Sequence, residues 1–144
     1  MSLSEEIVNQ LAAAAREART FAYAPYSGFL VGAALLTDEG EVFTGCNVEN
    51  SSYGLTCCAE RTAVFSAIAA GAQTFLAIAV AAEGEPVPPC GACRQVLSEF
   101  AADIPVILVG SGENLRILTL TNLLPEPFNA GFLHPAKDSD AIHD

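Results

Sequence analysis

The chain has 144 residues, 51% of them hydrophobic and only 16% charged, which is enough apolar material for one buried core and too little charge for a disordered segment. It carries 17 acidic residues against 6 basic ones, a formal charge of -11. The cations (Arg16, Arg19, Arg61, Arg94, Arg116 and Lys137) are scattered rather than clustered, which argues against a nucleic-acid groove or an anionic membrane surface.

The first predicted element is a helix, capped by Ser2 with Glu5 or by Ser4 alone. Ile7, Leu11, Ala14, Ala18 and Phe21 recur at helical spacing and predict its buried face, with Pro25 as its end. Val31–Leu36 and Val42–Cys46 read as strands around the turn at Asp38-Glu39-Gly40-Glu41, so they form an antiparallel hairpin. A polar loop, Asn47–Thr56, leads to a helix from about Cys57 to Ala70 whose apolar body predicts burial on most sides.

Phe75–Ala82 is a continuous apolar run, the pattern of a central strand covered on both faces. The loop Glu83–Pro89 holds three prolines, and a helix from about Gly91 to Ala101 follows. Strands are predicted at Pro105–Val109 and Leu115–Leu120. The Gly110–Asn114 connection is too short for a parallel return, so this last pair is antiparallel. Thr121–Leu124 starts a short helix before Pro125. The order implies a single three-layer α/β domain over residues 1–144, with a mixed five-stranded sheet and helices on both faces.

Thr62–Ala82 is uncharged for 21 residues, about the length of a membrane span. Its Ser66, Gly71, Gln73 and Thr74, and its many alanines, favour a buried helix, a turn and a strand. The N-terminal MSLSEEIVNQ has acidic residues where a secretion signal has basic ones. Five cysteines, an odd number, with one Cys-x-x-Cys pair point to reduced thiols and a cytoplasmic setting.

The chemistry is carried by Cys58-Ala59-Glu60 at one predicted helix start and Pro89-Cys90-Gly91-Ala92-Cys93 at another. A helix N-terminus favours the thiolate, and three thiolates suit Zn²⁺. Three ligands leave a fourth position for water, as in catalytic rather than structural zinc sites. Glu60 is too close in sequence to Cys58 to share the metal, but it can exchange a proton with that water. Three thiolates overcompensate Zn²⁺ by about one charge, which Arg61 and Arg94 can offset by donating to the sulfurs. Cys58 rather than Cys57 gives Glu60 its proper spacing, so Cys57 and Cys46 read as small buried residues. The competing readings are a structural zinc knuckle, with Cys46, Cys57 or a histidine as fourth ligand, and a redox dithiol. Both leave Glu60 without a task.

The same segments, with their surroundings, resemble the small homotetrameric cytidine deaminases. The matching stretches are Tyr26–Leu35 (YSGFLVGAAL), Gly45–Asn50 (GCNVEN), Cys58–Ala63 (CAERTA), Pro89–Gln95 (PCGACRQ), and Leu123-Leu124-Pro125 with Phe128. They run from residue 20 to about 130; the tail from His134 matches nothing. Leu30 and Cys57 are small departures that leave the chemistry intact.

The resemblance implies zinc-dependent hydrolysis of cytidine and deoxycytidine to uridine and deoxyuridine with release of ammonia, a step of pyrimidine salvage. It assigns one Zn²⁺ per subunit to Cys58, Cys90 and Cys93, and proton transfer to Glu60. Asn47 and Glu49 would bond the sugar, Phe29 would pack on the nucleoside, and Ala59 would contact it. Tyr53 and Phe128 would reach the pocket from neighbouring subunits of a homotetramer. An activated water would attack C4 of the ring while Glu60 takes its proton, delivers it to N3, and later protonates the departing amino group.

The residues also have plainer readings. Asn47 and Glu49 also suit a turn cap, and Phe29 and Phe128 also suit a core. Rival functions are deamination of a related amino-pyrimidine or purine such as a nucleoside antibiotic, deamination of a polynucleotide, and a zinc-stabilised interaction module. The acidic charge disfavours the polynucleotide.

Overall fold

The computed structural model describes residues 3–133. The chain runs α1 (Glu5–Arg19), β1 (Gly32–Thr37), β2 (Val42–Cys46), α2 (Ala59–Ala69), β3 (Phe75–Ala81), α3 (Gly91–Phe100), β4 (Pro105–Val109), β5 (Leu115–Thr119), α4 (Leu120–Leu123) and α5 (Ala130–Leu133). A single 3-10 turn at Tyr53–Leu55 interrupts the loop before α2. Ser2 and the tail from His134 lie outside the described residues. The cap of α1 is Ser4, whose side chain accepts from the Ile7 amide at 3.2 Å.

The strands form one sheet in the order β2-β1-β3-β4-β5. β1 is antiparallel to both β2 and β3, β3 is parallel to β4, and β4 is antiparallel to β5. The α3 crossover permits the parallel pair β3–β4, and the short connections force β1–β2 and β4–β5 antiparallel. The α2 crossover returns β3 parallel to β2 on the far side of β1, leaving β1 antiparallel to both. This is the mixed five-stranded sheet that the element order predicts.

Alternation along the strands splits the core in two. Ala33, Leu35, Ile78, Val80, Val106 and Leu108 pack with Ala63, Val64 and Ala67 of α2 and Leu97 of α3. Ala34, Leu36, Ala77, Ala79, Ile107 and Val109 pack on the opposite face with Val8, Leu11, Ala12 and Ala15 of α1. Each fully buried Leu, Ile or Val contributes roughly 1.5–3 kcal/mol of transfer free energy. The residues of β1, β3 and β4 facing α1 include several alanines, so that helix sits close to the sheet.

The face and the end of α1 are corrected here. The expected face holds at Leu11 and Ala18, which are buried, and in part at Ile7 and Ala14, which pack half-buried against the core; Val8, Ala12 and Ala15 are turned further inward, and Phe21 lies beyond the helix. Gly32, whose missing Cβ lets β1 lie against the backbone of Ala15 and Arg19, permits this rotation. The helix ends at Arg19 with Thr20 as its cap, well before Pro25, and Phe21 is 73% exposed. As expected, α2 is buried on most sides; only Phe65, Ser66 and Ala69 face outward.

Because β1 is antiparallel to both β2 and β3, those two run in the same direction. The loop after β2 leads into α2, and the loop after β3 leads into α3. Both helix N-termini therefore open at the carboxyl ends of like-directed strands, where α/β sheets form ligand crevices.

Candidate metal centre and substrate cavity

Cys58 is the N-cap of α2 and Cys90 the N-cap of α3, both with extended backbone and neither spending its side chain on a cap hydrogen bond. Their thiols are free to turn toward one another. Cys93 stands one turn into α3 and is buried. The Cys58 and Cys90 sulfurs lie 3.8 Å apart, those of Cys90 and Cys93 3.5 Å apart, and all three fall within 4.8 Å of one another.

A tetrahedral zinc with Zn–S near 2.3 Å sets its sulfurs about 3.8 Å apart. The spacing and the soft donor set therefore fit Zn²⁺. Among the described residues no fourth His, Cys, Asp or Glu joins this group. The question of register between adjacent cysteines is answered by position: Cys58 is on the cluster, while Cys57 bridges to Val48 and its sulfur accepts from the Thr62 hydroxyl at 3.7 Å.

The sulfurs are electrostatically unequal. The neighbouring Cys93 thiol, and then the Arg61 guanidinium, hold Cys58 down to about 5 against the opposing effect of burial. Cys93 is pushed far up, first by the Cys58 sulfur and then by burial. In the metal-free chain Cys58 is the thiolate and Cys93 keeps its proton. Nη2 of Arg61 donates to the Cys58 sulfur at 3.4 Å, and that bond holds the guanidinium firmly protonated.

Arg94 does not reach the sulfurs. Its Nε donates to the Pro89 carbonyl and its Nη1 to the Leu123 carbonyl, both at 2.7 Å. It braces the turn before Cys90 against α4 instead of neutralising thiolate charge.

Glu60 stands in the first turn of α2 and is only 4% exposed. Burial pushes its carboxyl up to about 7, the Cys58 charge adds to this, and Arg61 opposes it. A carboxyl that titrates near neutral pH is suited to both accepting and donating a proton. A cavity of about 270 Å³ opens above it, lined by Glu60, Cys58, Ala59 and Cys90 and by Ser27, Phe29, Asn47 and Glu49. Its size is at the lower end for small-molecule sites, roughly 300–1,000 Å³.

Asn47 and Glu49 follow β2 and are stitched to the segment before β1. The Tyr23 amide donates to the Asn47 carbonyl, and the Glu49 amide to the Tyr23 carbonyl, each at 2.9 Å. The Glu49 carboxylate accepts from the Tyr26 and Ser27 amides at 2.9 and 3.1 Å and from the Ser27 hydroxyl. These donors, the hydroxyl first, lower its pKa. Phe29 lines the cavity at 45% exposure.

Tyr53, 75% exposed, and Phe128, 57% exposed, lie outside this cavity in their own chain. The sequence reading missed the apolar wall of Val31, Val80, Val87 and Pro88, together with Thr56 and Ser27. Only the proline-rich loop gave a signal for Val87 and Pro88, as a rigid segment just before Cys90.

A sheet that brings a Cys-x-Glu helix start and a Pro-Cys-x-x-Cys helix start to one cavity defines the zinc-dependent hydrolytic deaminases. The family model for the cytidine and deoxycytidylate deaminase zinc-binding region matches residues 5–109, a span that holds all three cysteines. The chain belongs to that family, and zinc is the metal its thiol cluster is suited to hold.

Cytidine deaminase from Sporosarcina psychrophila is 49% identical over 124 residues, 85% of this chain and 91% of that one. The enzyme of the same name from Halalkalibacterium halodurans is 53% identical over 116 residues, 79% and 88% of the two chains. The crystal structure of cytidine deaminase from Burkholderia pseudomallei superposes with a TM-score of 0.81 at 51% identity, covering 88% of this chain and all of that one.

Proposed function

We propose that the chain is a cytidine deaminase, hydrolysing cytidine and deoxycytidine to uridine and deoxyuridine with release of ammonia in pyrimidine salvage. The observation that carries this reading is Glu60: a carboxyl 4% exposed, held near neutral by its surroundings, on the wall that also presents the Cys58 and Cys90 helix starts to the cavity.

In this reading Cys58, Cys90 and Cys93 ligate the zinc. When bound, zinc supplies Lewis acidity that brings water into reactive form near neutral pH. Glu60 accepts the attacking water's proton and delivers it to N3 of the ring, then takes the proton of the new C4 hydroxyl and gives it to the amino group, which leaves as ammonia as the C4 carbonyl forms. Phe29 presents its ring to the nucleoside. Asn47 and Glu49 face the sugar hydroxyls, and Ala59 lets the base approach α2 without obstruction. Arg61 offsets the surplus thiolate charge.

The working form is a homotetramer in which Tyr53 and Phe128 complete the pockets of neighbouring subunits. The support is exposed apolar surface: Phe21, Tyr53, Phe65 and Phe128 are each more than half exposed in the single chain. Free thiols throughout fit a reducing cytoplasm. Among the described residues no helix is long and apolar enough to cross a membrane.

The test is one preparation assayed for metal and for the absorbance change from cytidine to uridine. The expected result is about one zinc per chain together with uridine formation. A zinc-loaded preparation that leaves cytidine unchanged would contradict the reading.

A further inference from the structure

We infer that Ser27 is a positioning residue for the nucleoside: its hydroxyl ties the carboxylate of Glu49 to the backbone of Phe29, so that the sugar-side acceptor and the base-side ring are set as one unit. The inference rests on the deaminase reading above, since it takes Glu49 and Phe29 as the substrate-facing residues.

The hydrogen-bond directions are fixed by chemistry. The Phe29 amide donates to the Ser27 hydroxyl oxygen at 3.0 Å. A hydroxyl has one hydrogen, and a carboxylate has only lone pairs to offer. The Ser27 hydrogen therefore goes to Glu49 Oε2. The other carboxylate oxygen is taken by the Tyr26 and Ser27 amides. Gly28, with φ at +70°, supplies the bend that turns the Phe29 amide back onto Ser27.

Phe29 is held from its other side as well. The Nδ2 of Asn47 donates to the Phe29 carbonyl at 2.8 Å, and Oδ1 of Asn47 accepts from the Val31 amide at 2.9 Å. Both backbone polar groups of Phe29 are therefore claimed by side chains. Phe29 is 45% exposed, so core packing holds it only in part, and these two bonds fix the backbone from which its ring projects. Asn47 holds Phe29 directly, whereas Glu49 reaches it only through Ser27. Ser27, Phe29, Asn47 and Glu49 all border the same cavity.

The Ser27→Ala variant removes the link and leaves each end in place. In the zinc-loaded enzyme its KM for cytidine should rise about tenfold, the scale of one charge-assisted hydrogen bond. Its kcat should stay within about twofold, as expected when binding is lost equally from ground and transition states. Zinc content and melting temperature should match the parent. Ser27→Thr, which keeps the hydroxyl, should restore KM to within about threefold by the same bond. In a Glu49→Ala background, which leaves nothing for the hydroxyl to reach, the Ser27→Ala change should add less than about twofold, because the coupling runs through the carboxylate.

An unchanged KM in Ser27→Ala, a parallel fall in kcat with loss of zinc, failure of threonine to rescue, or full additivity with Glu49→Ala would each overturn the role. A parent enzyme that leaves cytidine unchanged would overturn the deamination reading, and this role with it.

Discussion

Gly45 of β2 lies directly beneath Ala63 of α2: a Cβ at Gly45 would sit 3.0 Å from the Ala63 Cα, 2.7 Å from the Ala59 carbonyl oxygen, and would overlap the Ala63 amide nitrogen. The helix that carries Cys58 and Glu60 is seated on the backbone of this one residue. Backbone atoms cannot step aside, so Gly45→Ala must lift α2 from the sheet. The expected cost is about 2–3 kcal/mol, a fall in melting temperature of roughly 5–10 °C. Zinc retention should fall in parallel, because Cys58 moves relative to Cys90. Melting and metal content of the one variant check both.

Arg61 sets a second expectation. It donates to the Cys58 sulfur, and its buried Nε has no partner among the described residues, so within them the side chain leaves one donor uncompensated to stay at the thiolate. Arg61→Ala should weaken zinc retention about 10- to 100-fold in competition with a chelator. Arg61→Lys should recover only part of this, because an ammonium keeps the charge but not the planar fork.

Proton release follows from the unequal thiols. Cys58 is ionised down to about pH 5, while Cys93 holds its proton above the ordinary thiol range. Metal must displace at least the Cys93 proton. Zinc affinity should therefore rise at least about tenfold per pH unit between pH 5 and 7. Calorimetry in two buffers of different ionisation enthalpy measures the protons released. Uptake without proton release would contradict the assignment.

Stability of the metal-free chain carries two terms of opposite sign. The raised carboxyl of Glu60 contributes stability that is complete below its ordinary range near 4.5 and is lost as pH rises through about 7. The lowered thiol of Cys58 contributes stability that is complete above its ordinary 9.0 and is lost as pH falls through about 5. Between pH 5 and 7 the two oppose each other. Glu60→Gln removes the first, so the metal-free variant should gain stability from pH 5 to 7 while its parent changes little. Thermal melts across that window check the sign.

Much of this architecture is legible in the residues. The strands at Val42–Cys46 and Pro105–Val109 and the helix start at Gly91 coincide with their predicted bounds, because proline, glycine and charge punctuate those segments sharply. The three sulfurs meet as their spacing implies, since each motif sits at a helix start whose place the βα order dictates. What escaped the pattern depends on partners distant in sequence. The rotation of α1 that turns Ala15 inward depends on its close approach to Gly32 on a strand. Arg94 is drawn from the sulfurs to the carbonyl of Leu123, 29 residues on. Ser27 looks like an ordinary turn residue until Glu49 and Phe29 are seen on either side of its hydroxyl.

Glu60 remains the residue on which the functional account turns. Replacing it with alanine removes the buried carboxyl without touching a sulfur. Glu60→Ala should retain about one zinc per chain, as expected for a non-ligand, while uridine formation from cytidine falls by about 10²- to 10⁴-fold. A Glu60→Ala enzyme with full zinc and undiminished turnover would contradict the account.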